Sequence, residues 1–262
     1  MTRKLKRTQN FELTLDIKNE NFIAPPRASQ RNWLLNRTMT EFADDVQQLD
    51  QLAARFVPGA DSVHIAERGN APLADDEIME DWQVPLMRAM AEVATQTHGD
   101  VLEVGFGRGV SAGFIQACGV QSHTIVECND SVIARYHAWR AQFPARDIRL
   151  IQGKWQDTVD QFGMYDGIFF HTFPLNETEY VEQVLNSVTF AEQFFPTASA
   201  HLRDGGIFTY MTNEIDSFSR AHQRLVLRYF RAFELSLVKL IVPSDVRDTW
   251  WADAMVVIKA VK

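Results

Sequence analysis

Hydrophobic and polar positions change rhythm along this chain. Between residues 29 and 56, Leu34, Leu35, Met39, Phe42, Val46, Leu49 and Leu52 recur at helical spacing, and a second helical pattern occupies 75–97. After that, short apolar runs alternate with helical patterns. GDVLEVGFG reads as a strand, GVSAGFIQACG as a helix and SHTIVECN as a strand. A helix at 130–143 leads to the strands DIRLIQG and YDGIFFHTF, and a helix at 178–195 precedes the strand GGIFTYMTN at 205–213. Two late β-rich runs, ELSLVKLIVP and WADAMVVIKAVK, predict a terminal antiparallel pair. The order is that of an α/β protein with a Rossmann-like, doubly wound, seven-stranded and mostly parallel sheet. The expected division is a partly helical N-terminal extension over 1–75, able to act as a lid, and a catalytic domain over 76–262.

Composition narrows the classes. A hydrophobic fraction of 46% and a charged fraction of 23% are those of an ordinary globular chain. A net charge of −8 argues against nucleic acid as a partner, which requires a basic face. Nowhere do about 18 apolar residues run together, so no membrane span is expected. The start MTRKLKR is basic without a following apolar run, which is not a secretory pattern; a cytoplasmic protein is expected. Cys118 and Cys128 lie in or beside apolar segments and read as reduced core residues, and no metal site is expected. The segment APPR at 24–27 reads as a turn.

The chemistry gathers at strand ends. Gly105, Gly107 and Gly109 follow the first strand with the spacing G-x-G-x-G, where glycine lets the backbone turn sharply and approach a ligand. Glu127 ends the next strand, where a carboxylate can take two hydrogen bonds from a ribose diol. Gly153 and Trp155 follow the third strand, and Trp155 is placed to flank an adenine. Glu103, two residues before the glycine turn, would repel a pyrophosphate but suits the ammonium and sulfonium of S-adenosylmethionine (SAM). An acidic strand followed by G-x-G-x-G resembles the class I methyltransferase signature, which makes SAM the expected cofactor ahead of NAD. Ligands of open α/β sheets sit beyond the carboxyl ends of the strands, and Gly105, Glu127, Gly153, His171 and Thr212 all fall there.

From about residue 70 onward the chain resembles guanidinoacetate N-methyltransferase and its arginine N-methyltransferase relatives. The matching pieces are IMEDWQVPLM at 78–87, VLEVGFG, IVECND, GKWQD, YDGIFFHTFPL, GGIFTY and VPSDVRDTWW. The resemblance implies a class I SAM-dependent fold whose N-terminal segment closes over the cofactor. Met79 and Trp82 would lie beside that cofactor, with Glu103 by its methionine moiety, Glu127 by its ribose and Trp155 by its adenine. Gly105, Gly107, Asn129 and Gly153 complete the expected cofactor set. The resemblance also marks two departures. The family grips a cationic guanidinium with carboxylates in W-E-x-P-Y-M and Y-D-T-Y-P-L, and here those positions are Gln83 and His171. Losing two charge-assisted partners in a closed site is costly, so a changed substrate is expected.

His171, neutral near pH 7, is then expected to act as a general base, while Gln83 hydrogen-bonds the substrate without demanding positive charge. Thr172, Thr212 and Asn213 are expected substrate contacts, and Trp250 and Trp251 either roof the pocket or pack. The expected activity is SAM-dependent methylation of nitrogen or oxygen on a small molecule of specialised metabolism. An intramolecular cyclase of the azetidine-2-carboxylate synthase kind, releasing methylthioadenosine with SAM as sole substrate, is the second reading. Retained guanidino methylation, with Glu214 replacing a missing acid, is the third. A non-catalytic SAM-binding partner subunit is a different class, against which the intact glycine turn and ribose acid speak. An oligomer is compatible with all of them.

Overall fold

The computed structural model describes residues 68–246 and 250–262. The helical pattern at 29–56, the APPR turn and most of the expected N-terminal extension lie outside the described residues.

The run VLEV forms the middle of a sheet because both of its faces find apolar cover. In β1 (Asp100–Val104), Leu102 and Val104 pack with Ile168 and Phe208 on one face, and Val101 packs with Leu86 and Met90 on the other. A strand buried on both sides carries apolar residues at successive positions instead of alternating ones. The same holds for β2 (Ser122–Glu127) and β4 (Tyr165–Phe170). With β3 (Ile148–Gln152), β5 (Leu202–Thr212), β6 (Ala232–Lys239) and β7 (Ala254–Val261), they form one sheet in the order β3-β2-β1-β4-β5-β7-β6. The first five strands are parallel, and β7 runs antiparallel between β5 and β6, as the two late runs predict. The chain winds outward from β1 to β3 and then returns to place β4 on the other side of β1. That reversal opens a crevice at the carboxyl ends of β1 and β4.

A short helix α1 (Asp75–Ile78) and a 3₁₀ turn at Asp81–Gln83 lead into α2 (Val84–Ala94). Pro85 sits in the first turn of α2, where its missing N–H costs no helical bond, and Leu86, Met87, Met90, Ala91 and Ala94 form the buried stripe. Helix α3 (Val110–Ala117) follows β1. Helix α4 (Asp130–Arg140) follows β2, capped by Asn129, and α5 (Trp155–Thr158) follows β3.

The helix expected over 178–195 is two pieces. Helix α6 (Glu177–Tyr180) runs into a π turn at Val181–Leu185 and stops at Asn186. Helicity resumes with a 3₁₀ turn at Glu192–Phe194 and α7 (Phe195–His201), whose first turn holds Pro196. The stretch between them, 186–191, opens with two polar residues and two β-branched ones, Asn186 to Thr189, all weak helix formers. A further helix, α8 (Arg220–Tyr229), capped by Ser219, buries His222, Leu225 and Val226.

Candidate active site

The turn after β1 is built on glycine for a steric reason. Gly105 has φ +93°, and a Cβ there would stand 2.2 Å from the carbonyl oxygen of His171. The backbone of β4's end therefore presses directly on the glycine turn, and only a residue without a side chain fits. Gly107, at φ +56°, would place a Cβ 3.2 Å from Ile78 Cγ2.

Over this turn lies a cavity of about 350 Å³. Met79, Trp82 and Gln83 enter it from the segment before α2, and Gly105 and Gly107 from the glycine turn. Glu127 and Asn129 come from the end of β2, Gly153 and Trp155 from the end of β3, and His171 and Thr172 from the end of β4. Four adjacent strand ends thus converge with the pre-α2 segment on one space.

Glu127 is held by backbone. Its Oε2 accepts from Phe106 N (3.0 Å) and its Oε1 from Cys128 N (2.7 Å) and Asn129 N (3.0 Å). Three donors fix the carboxylate and tie the glycine turn to the tip of β2. Trp155 is half-buried, with its ring edge-on to Phe194 at 5.0 Å, so it serves the core and walls the cavity together. Trp82 stands edge-on to Trp251 at 4.9 Å, and its Nε1 donates to Glu80 Oε2 (2.9 Å). Trp251 also lines the cavity, so one of the two late tryptophans does roof it.

Three expectations change. Glu103 is fully buried beneath the cavity instead of lining it: its carboxylate accepts from Ser111 Oγ, and its Oε2 lies 3.0 Å from His123 Nε2. The imidazole and carboxylate are in contact without an aligned hydrogen bond. A carboxylate taken up by partners in the interior has no free edge for a ligand's ammonium. Asn129 reaches the cavity wall, but its amide is saturated. Its Oδ1 accepts from Ser131 N (2.8 Å) and Val132 N (3.2 Å), and its Nδ2 donates to Arg68 O (2.7 Å) and Ala71 O (2.8 Å). It fastens residues 68–71 to α4. Thr212 and Asn213 line a second cavity, with Glu214 and Trp250, because β5 runs past the crevice before it ends. Glu214 does not face the first cavity either. Its Oε2 accepts from Ser219 N (2.9 Å) and lies 3.3 Å from Nδ1 of His222, whose Nε2 is 2.7 Å from Tyr210 Oη.

The two altered positions have distinct states. His171 is half-buried; its backbone N–H donates to Val104 O (3.1 Å), while its imidazole has no partner among the described residues. Desolvation pushes its pKa down to about 4, so the ring is neutral at physiological pH. Gln83 is 8% exposed, and its Oε1 accepts from Glu80 N (3.0 Å), closing the 3₁₀ turn.

Sequence reasoning passed over three charged residues at the rim. Arg108 Nη1 donates to Met79 O (2.8 Å) and pairs with Asp81 Oδ1 (2.9 Å), pinning the segment before α2 onto the glycine turn. Lys154 Nζ pairs with Glu179 Oε1 (3.0 Å), and Glu179 Oε2 accepts from Leu175 N (3.0 Å). Arg108 could have been noticed as the one charge inside the glycine turn; the Lys154–Glu179 pair carries no local signal.

A doubly wound sheet whose first strand ends in a glycine turn, with a fixed carboxylate at the tip of the second, defines the class I SAM-dependent methyltransferase fold. Residues 67–231 match the family model described as guanidinoacetate N-methyltransferase, and the chain belongs to that family. Among curated proteins it is similar to protein arginine N-methyltransferase 2 of Eremothecium gossypii, 29% identical over 141 residues, which are 50% of this chain and 32% of that one. The protein of the same name from Aspergillus oryzae is 33% identical over 103 residues, 37% of this chain and 24% of that one. The chain thus spans a third or less of the length of these two relatives. Among solved structures, a spermidine synthase in complex with the transition state analogue AdoDATO shares the fold at TM-score 0.51 and 17% identity, covering 69% of this chain and 61% of that one. A precorrin-6y C5,15-methyltransferase from Geobacter metallireducens does so at TM-score 0.50 and 12% identity, covering 74% and 99%.

The residues present fit SAM, the cofactor of this class. Gly105 and Gly107 bring bare backbone to the cavity wall, Glu127 offers a preset carboxylate, and Trp155 offers a flat apolar wall.

Proposed function

We propose that this protein transfers a methyl group from SAM to a nitrogen or oxygen of a small molecule other than guanidinoacetate. Glu127 would hold the ribose, Trp155 the adenine, and Met79 and Trp82 the side of the cofactor nearest α2. SAM supplies an already activated methyl group, so the protein's work is to orient the acceptor and keep water out. The observation that carries the reading is the state of the two altered positions. Neither side chain is a carboxylate, both line the cavity, and His171 is neutral with its ring unpartnered among the described residues. A pKa near 4 also changes the role first expected of His171. A base that weak contributes little to proton abstraction at neutral pH, and the ring serves better as a neutral hydrogen-bonding group beside the acceptor.

The test is to incubate the protein with SAM, first alone and then with a metabolite extract, and to resolve products by mass spectrometry. S-adenosylhomocysteine that appears only with the extract supports methyl transfer. Methylthioadenosine formed from SAM alone would replace the reading with intramolecular cyclisation. SAM bound but never consumed would make the protein a binder, and efficient use of guanidinoacetate would restore the family substrate.

A further inference from the structure

We infer that the acceptor site selects an anionic or acidic group, such as a carboxylate, phenolate or acidic ring nitrogen, and rejects the cations that a carboxylate-lined site would take. The inference rests on the methyltransferase reading and names the chemistry of its second substrate.

The orientation of Gln83 carries it. The Glu80 backbone N–H can bond only to the amide oxygen, so the bond at 3.0 Å fixes which end of the side chain is which. Nε2 is left as the open end. It has no partner among the described residues, and it does not belong to the buried unsatisfied atoms, so it meets the cavity that Gln83 lines. Two N–H donors therefore stand where a carboxylate, with one oxygen held by Glu80 N–H, would offer its other oxygen as an acceptor. A guanidinium or ammonium finds no acceptor there, whereas an oxyanion does.

Among the described residues, the other acids that line the cavity do not restore a grip for cations. Glu127 is held by three backbone N–H groups and assigned to the ribose, and Glu179 is taken by Lys154 and Leu175 N. Glu77 accepts from Ala74 N, Asp76 from Glu77 N and Glu80 from Trp82 Nε1, and all three are exposed, where water weakens any ion pair. The neutral ring of His171, unpartnered among the described residues, can turn its one N–H towards the same group.

The charge balance agrees. The bond formed joins the acceptor atom to the methyl carbon, and the bond broken is methyl–sulfur, whose electron pair stays on sulfur. With an anionic acceptor the two opposite charges cancel and no proton needs a destination. With a neutral amine, positive charge grows on nitrogen beside Gln83 Nε2, which repels it.

Benzoate and benzamidinium have nearly the same shape and opposite charge, and their binding to the protein loaded with S-adenosylhomocysteine can be compared by calorimetry. Benzoate is expected to bind at least tenfold tighter. In Gln83→Glu the new carboxylate still accepts the Glu80 N–H, so the turn survives, and the preference should reverse. Tighter binding of benzamidinium by the wild type, binding of neither, or a ratio unchanged in Gln83→Glu would overturn the inference. If S-adenosylhomocysteine itself fails to bind, the methyltransferase reading falls, and the same contrast measured on the protein alone still decides the charge preference.

Discussion

Glu127 carries two duties, and they can be separated. Replacing it with alanine removes the acceptor for Phe106, Cys128 and Asn129 N–H groups as well as the candidate ribose contact. Glu127→Ala is expected to weaken SAM binding at least tenfold and to cost roughly 1–3 kcal/mol of stability through the unpaired donors. Calorimetry with denaturant melts checks both, and unchanged affinity would remove the residue from the cofactor site. His171 gives a pH test. Its folded pKa lies below its ordinary 6.5, at about 4, so the unfolded chain binds the proton more readily between those values. Stability from this residue is complete above pH 6.5 and falls as pH drops towards 4. His171→Asn should flatten that part of the urea-midpoint profile relative to wild type; His222, also shifted down by burial, remains in both proteins and cancels. Glu127 and His171 were legible because strand ends are where such folds place ligands. Glu103 was not, since the His123 that occupies it belongs to the next strand. Nor was the donor end of Gln83, which depends on one backbone bond.

At the scale of elements, the glycines separate backbone necessity from ordinary packing. Gly105→Ala meets the His171 carbonyl at 2.2 Å and is expected to unfold the turn and abolish cofactor binding. Gly113, inside α3, has nothing within 4 Å of an added Cβ, so Gly113→Ala should raise stability by about 0.4–1 kcal/mol. Thermal melts of the two variants, one fallen and one raised, check the contrast; a Gly105→Ala that binds normally would mean the turn can move. The strands were readable because burial on both faces leaves unbroken apolar runs such as IFF in β4. Helix α8 escaped because its exposed face is rich in arginine and glutamine around a narrow stripe of Leu225 and Val226. The 178–195 helix was read too long because apolar spacing continues through Asn186 to Thr189, where propensity does not.

For the molecule as a whole, binding at the crevice should appear as stability. A ligand at a hundred times its Kd adds about 2.7 kcal/mol, which shifts the melting temperature by roughly 5–11 °C in a domain of this size. S-adenosylhomocysteine should produce that shift in the wild type and at most about half of it in Glu127→Ala at the same concentration, as scanning fluorimetry would record. The number of strands and their mostly parallel run followed from the rhythm of the runs, yet the separation of Thr212 and Asn213 from the first cavity did not, because it depends on how far β5 extends past its neighbours. The contact between Gly105 and His171 has a wider meaning. Residue 171 is anchored by its peptide groups, through its N–H to Val104 and its carbonyl against the glycine turn, while its ring has no tether among the described residues. Main chain and side chain at that position answer to different constraints: one keeps the cofactor end in shape, and the other is free to vary. If the acceptor lies beside residue 171 as proposed, imidazole can stand there in place of an acid without disturbing the glycine turn on which the methyl donor would rest.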